Sequence, residues 1–139
     1  MAHKRTLIRN AFVSTLTGLT TTGSRVYGSR LANFAEADIP ALKVYLKDET
    51  STDEASGYDG IVECEVMVEA YVKANSTFDD DLDLILEEVQ AAIDAARLTT
   101  FRSLVKSLFY DSLEVEYMDA DQDAGRQIIK FRVQYEQRL

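Results

Sequence analysis

The chain has 139 residues, of which 46% are hydrophobic and 28% charged, and it carries a net charge of −9. That length supports one domain burying roughly two-thirds of its unfolded surface. One cysteine excludes an intramolecular disulfide, and no apolar run approaches the roughly eighteen residues of a membrane helix.

The start, M-A-H-K-R-T, lacks the apolar stretch of a signal peptide, so synthesis in a cytoplasm is expected. Thr6 to Leu16 reads as a first helix, with Leu7, Ile8, Ala11, Phe12 and Leu16 near one stripe and Lys4, Arg5 and Arg9 on the wet side. A polar break from Gly18 to Gly23 follows, then a short edge strand within Arg25 to Leu31. Pro40 opens the next strand, Ala41 to Lys47, where Leu42, Val44 and Leu46 alternate with Lys43, Tyr45 and Lys47. Asp48 to Gly60 has five acids, two glycines and one large apolar side chain, Tyr58, and is expected to be a mobile loop.

Ile61 to Lys73, I-V-E-C-E-V-M-V-E-A-Y-V-K, organises the rest. Val62, Cys64, Val66, Val68, Ala70 and Val72 alternate with Glu63, Glu65 and Glu69, which predicts a central strand with one buried and one wet face. Cys64 on the apolar side predicts a buried, inert thiol. Ser76 or Thr77 caps a second helix to about Ala96, with Asp79, Asp80, Asp81 and Asp83 at the positive end of its dipole. Its stripe is Leu82, Ile85, Leu86, Val89 and Ile93. Thr99 or Thr100 caps a short helical segment through Leu108, a strand runs from Tyr110 to Met118, and Asp119 to Gly125 turns the chain. Gln127 to Glu136 is the last strand, with Ile129, Phe131, Val133 and Tyr135 on its apolar side. Val62, Val66, Val68, Leu82, Ile85, Leu86, Val89, Phe131 and Val133 are expected to form the core. Segregated runs of helices and strands predict an α+β fold.

Charge is segregated too. Residues 1–47 carry seven Lys or Arg and two Asp or Glu, a net of +5. Residues 48–94 carry one base and fifteen acids, a net of −14, which argues against that surface gripping nucleic acid. Arg25, Arg30, Lys43 and Lys47 form a modest basic set; a DNA contact is one reading of it, but the net negative sign favours ordinary surface charge or pairing with the acidic middle of a neighbouring subunit.

No catalytic or metal set emerges. D-A-D-Q-D-A-G from Asp119 places Ala124 and Lys130 where a Ca²⁺ loop needs glycine and an acid. The aspartates of the second helix are explained by its dipole, and the glutamates of the long strand by alternation. His3 is the sole histidine and lies at the N-terminus, where a catalytic triad is improbable.

The stretch Phe34 to Leu46, F-A-E-A-D-I-P-A-L-K-V-Y-L, resembles a segment of the lambda-like minor tail protein U family, the tail terminators of long-tailed bacteriophages. Phe34, Glu36, Ala37, Asp38, Pro40, Ala41, Val44, Tyr45 and Leu46 match the family pattern, and Ile39 replaces an aromatic. The L-I-R-N-A core of the first helix, V-Y-G-S-R within Gly23 to Arg30, the Glu-rich strand, the Asp-rich helix and the closing V-Q-Y-E follow in the family's order.

The resemblance implies one α+β domain over the whole chain, a mixed sheet of four to five strands against two main helices. It implies a ring, usually of six subunits, on the head-proximal end of the tail tube, in a virion assembled in a bacterial host. The ring stops tube polymerisation and offers the head a joining surface. Its partners are further copies of itself, the tube protein and a head-completion protein, with DNA passing through the lumen without specific binding. No enzyme activity, cofactor or membrane is implied. The resemblance maps no contact site onto particular residues. From exposure and charge, the candidate contacts are Arg25, Arg30, Asp48, Glu49, Asp53, Glu54, Tyr58, Asp59, Asp119, Asp121 and Asp123. The alternatives are another ring protein of the virion (a neck, head-completion or tube subunit) and, in a different class, a small hydrolase using carboxylates.

Overall fold

The computed structural model describes residues 3–29, 39–51, 60–73, 76–117 and 124–137. Helix α1 spans Lys4–Leu16, and His3 caps it by accepting at Nδ1 from the Arg5 N–H, 3.0 Å away. Ile8, Ala11, Phe12 and Leu16 are buried as the spacing predicts. Leu7 is not: it sits a quarter-turn off that stripe and is exposed. Gly18 and Gly23 take positive φ of 97° and 57° to close the following turn.

The sheet has five strands in the order β1-β2-β3-β5-β4. They are β1 (Val26–Tyr27), β2 (Ala41–Ser51), β3 (Gly60–Lys73), β4 (Ser107–Tyr117) and β5 (Ala124–Gln137). The pair β1–β2 is parallel and the other three pairs are antiparallel, so the sheet is mixed and the fold α+β. Helix α2 (Phe78–Arg97) carries the chain from β3 to β4 and leaves a gap that β5 fills, a split βαβ unit. The β3–β5 ladder runs unbroken from Gly60↔Gln137 to Lys73↔Ala124.

Both helices lie on one sheet face. The core joins the α1 stripe, Leu82, Ile85, Val89 and Ile93 of α2, and the alternate apolar residues of β2, β3 and β5. Eight of the nine expected core residues are buried, and Leu86 is half-buried against the others. Two features lock α2 in place. The buried Gln127 amide donates to the Leu82 carbonyl at 2.7 Å. Phe78, the first helical residue, rests on Gly125, where an added Cβ would lie 2.2 Å from the ring.

The structure corrects four expectations. Residues 48–51 belong to β2 rather than to the loop: a bulge between Leu46 and Glu49 absorbs the polar run and lets Glu49 pair with Cys64. The rest of that loop, 52–59, lies outside the described residues. No helix forms from Thr99 to Leu108. Residues 98–104 are turns that fold Phe101 into the core, and Leu108 already belongs to β4, where it pairs with Val133. Ala124 and Gly125 are strand rather than turn, paired with Lys73 and Val72. Finally, the second face of β3 is not uniformly wet, because Met67, Glu69 and Tyr71 are all buried on it.

Candidate functional site: the charged face of the sheet

The face away from the helices is built by register. Antiparallel pairing brings Lys43 opposite Glu69, Glu65 opposite Arg132, and Glu116 opposite Arg126. Strand β5 thus lays a row of cations, Arg126, Lys130 and Arg132, between the acids of β3 and those of β4. Arg126 binds Glu69 and Glu116, Lys130 binds Glu114, and Arg132 binds Glu63 and Asp111. Arg132 also lies 5.7 Å from the Phe109 ring centroid. These pairs are mostly half-exposed and individually weak.

Glu69 is the exception. It is 4% exposed and takes hydroxyl donors from Tyr45 and, at 2.6 Å, from Tyr71. The Arg126 guanidinium adds a third donor at 2.8 Å. Burial alone would push its carboxyl pKa up. The two tyrosine hydroxyls, then Arg126 and Lys43, outweigh that and hold it below the usual range. Tyr71 is raised to about 12, by burial and then by its bond to Glu69. A carboxylate held so firmly ionised and fully hydrogen-bonded is a structural clamp and a poor general base at neutral pH.

Next to this network is an open cleft of about 520 Å³, lined by Lys47, Asp48, Thr50, Glu63, Cys64, Glu65 and Arg132. Burial pushes the Cys64 thiol up to about 11, so it is not a nucleophile at physiological pH. Among the described residues no group of three or more His, Cys, Asp or Glu converges to hold a metal ion. Among the described residues no helix is long and apolar enough to cross a membrane.

Of the residues singled out as contacts, three are described. Arg25 is half-buried: its Nε donates to the Pro40 carbonyl at 2.7 Å and its Nη2 to that of Thr21 at 3.2 Å, which ties β1 to the entry of β2. Glu49 accepts from the Tyr135 hydroxyl at 2.8 Å and from Arg5 at 3.1 Å. Asp48 is exposed at the cleft. Arg30, Asp53, Glu54, Tyr58, Asp59, Asp119, Asp121 and Asp123 lie outside the described residues. Sequence reasoning missed Glu69 and Arg126. The signals available were Met67, Tyr71 and Ile128, apolar or aromatic residues at positions that alternation assigns to water.

The outer edge of the sheet is β4. Among the described residues nothing pairs with its far side. Phe109, Tyr110 and Val115 are exposed along it, and a groove of about 240 Å³ separates it from Ile93, Asp94 and Arg97 of α2.

Comparison with known proteins agrees with this picture of a scaffold. A family model described as phage minor tail protein U matches residues 3–135. No curated protein matches. Among solved structures, a chain of the "Virion of native gene transfer agent (GTA) particle" is similar at 15% identity and a TM-score of 0.45, over 97% of this chain and 92% of that one. A likeness of that degree adds nothing to the assignment, which rests on the family match. The chain belongs to the phage minor tail protein U family and is a structural, non-enzymatic component of the virion tail.

Proposed function

We propose that this protein is a tail terminator: a ring of six copies on the head-proximal end of the tail tube, which stops tube polymerisation and gives the head its joining surface. The observation that carries this reading is the family match over nearly the whole chain, residues 3–135. The charged face supports it in kind, since its ion pairs and its buried carboxylate hold a sheet rigid. The partners are further copies of the chain, the tube protein and a head-completion protein. The surplus of acid, −9 per subunit, suits a lumen through which DNA passes without being held. Asp48, with Asp53, Glu54, Tyr58 and Asp59 beyond it and Asp119, Asp121 and Asp123 on the other connection, remains a proposed contact with a neighbour or the tube.

Electron microscopy of the purified protein, alone and added to growing tail tubes, tests the reading. Closed rings that cap tubes and halt their growth are expected. Incorporation along the tube wall would reassign the chain to a tube subunit, and binding only to heads would reassign it to the neck.

A further inference from the structure

The two ends of the sheet differ in chemistry. At one end, β4 is an eleven-residue edge strand with no neighbour on its far side among the described residues. Its helix-side row, Leu108, Tyr110, Leu113 and Val115, runs out from under α2, leaving Tyr110 41% and Val115 46% exposed. An exposed edge of this length with apolar side chains is a template for pairing with another chain. The helix beside it is acidic, α2 holding seven Asp or Glu and one Arg, whereas the three acids of β4 itself are paired with Arg126, Lys130 and Arg132 of β5. Asp94 stands at the groove with its side chain 78% exposed, in a long 3.7 Å pair with Arg97 one turn on, an exposed contact that a second cation can join or replace.

At the other end, α1 holds Lys4, Arg5 and Arg9 and no acid. Lys4 and Arg5 are spent on backbone carbonyls of residues 103–104 and 46–47. Arg9 has no carboxylate partner among the described residues. Its stem and Val13 lie over Gly28, directly after β1, whose Val26 and Tyr27 are half-buried. The β4 edge thus offers an apolar row beside an acidic helix, the β1 edge an apolar patch beside Arg9, and the two are opposite edges of one sheet.

We propose that the β4 edge, with its apolar row and the groove against α2, docks on the α1–β1 end of a second copy of this chain, placing Arg9 of one subunit near Asp94 of the next. Unlike ends that attract, on a single subunit, produce head-to-tail association, which closes into a ring when the rotation permits. Main-chain pairing along a strand edge supplies affinity, and the side-chain row supplies register. Docking of this kind presupposes the ring reading above and names the surfaces that make the ring.

Two single variants test it, each blocking one end: Val115→Lys on the β4 row and Arg9→Glu on α1. Unchanged far-UV circular dichroism and melting, together with normal assembly of Val115→Thr and Arg9→Gln, establish that only the surface has changed. Asp94→Lys, on an exposed helical position, stands in for Val115→Lys if the latter fails to fold. Mass photometry of each single variant is expected to show monomers, with association weakened at least about tenfold. An equimolar mixture is expected to stop at heterodimers, because each variant keeps the end that the other lacks. Parent-like rings from Val115→Lys or Asp94→Lys, or a mixture that yields no dimer, would overturn the proposal. Open filaments from the parent that Val115→Lys abolishes would uphold the docking and sink the terminator reading. A parent that stays monomeric at every concentration would sink both.

Discussion

Arg126 Nη1 on β5 lies 2.8 Å from Glu69 Oε1 on β3, at a carboxylate whose side chain is 5% exposed. Removing the cation strands a buried charge with only its tyrosine donors. Arg126→Ala is therefore expected to cost about 2–3 kcal/mol, below the range for fully buried pairs because the guanidinium is partly in water. Tyr45→Phe removes one charge-assisted hydrogen bond and should cost about 1–2 kcal/mol. Urea unfolding of both variants checks the order. A larger loss for Tyr45→Phe would mean that the hydroxyl outranks the ion pair.

The same carboxylate makes stability depend on pH. Its folded pKa is depressed from 4.5, so the proton binds more weakly to the folded than to the unfolded chain. The stabilisation is fully present above about pH 4.5 and is lost as pH falls through the folded value. The difference in melting temperature between the parent and Glu69→Gln should be constant near neutrality and shrink below pH 4.5. A difference unchanged down to the acid transition would mean that Glu69 is not the titrating group.

Gly125 is needed for space. Its backbone is extended, and an added Cβ would lie 2.2 and 2.3 Å from two Phe78 ring atoms. Gly125→Ala should cost about 1–3 kcal/mol as overpacking. Phe78→Leu in the same chain should recover part of that loss, a coupling that a double-mutant cycle reads directly. Additive losses would show that the two residues do not press on each other.

Cys64 reports on opening. With its thiol at about 11, roughly one molecule in a thousand is thiolate at pH 8, and the sulfur is buried as well. Iodoacetamide should label it only as fast as β3 is exposed by unfolding. Labelling in the native protein at the rate of a free thiol would contradict its placement on the core face.

The alternation from Val62 to Val72 gave away the central strand, and the 82–93 stripe gave away α2, because burial on one side imposes a period that a linear reading can detect. The fate of Glu69 was hidden because nothing local separates it from Glu63 or Glu65. What differs is who reaches across from the neighbouring strands: Tyr45 on β2 and Arg126 on β5, 24 and 57 residues away and each diagonal to it in the register. The end of β2 was hidden for a similar reason. D-E-T-S reads as loop until Arg5 and Tyr135 arrive to bind Glu49. The β4 edge was partly legible, since Leu113 and Val115 alternate, but its bulge between Tyr110 and Ser112 broke the period and concealed the first residues of the strand.

The place of β5 has a consequence for how the sheet can come into being. Strand β5 is made last of the five, yet it sits between β3 and β4, which have no ladder with each other. A growing chain that has reached Tyr117 therefore holds β3 and β4 as separate pieces joined by α2, with the long edge of β3 unclaimed. The final fourteen-residue strand then docks on both sides in one step, contributing two ladders at once. Contacts that span so much of the sequence form slowly. Until they form, the Val-rich edge of β3 stands open to the wrong partner. Synthesis and assembly are thereby ordered in time: a subunit gains its outer β4 edge as a finished surface only once its interior gap is filled.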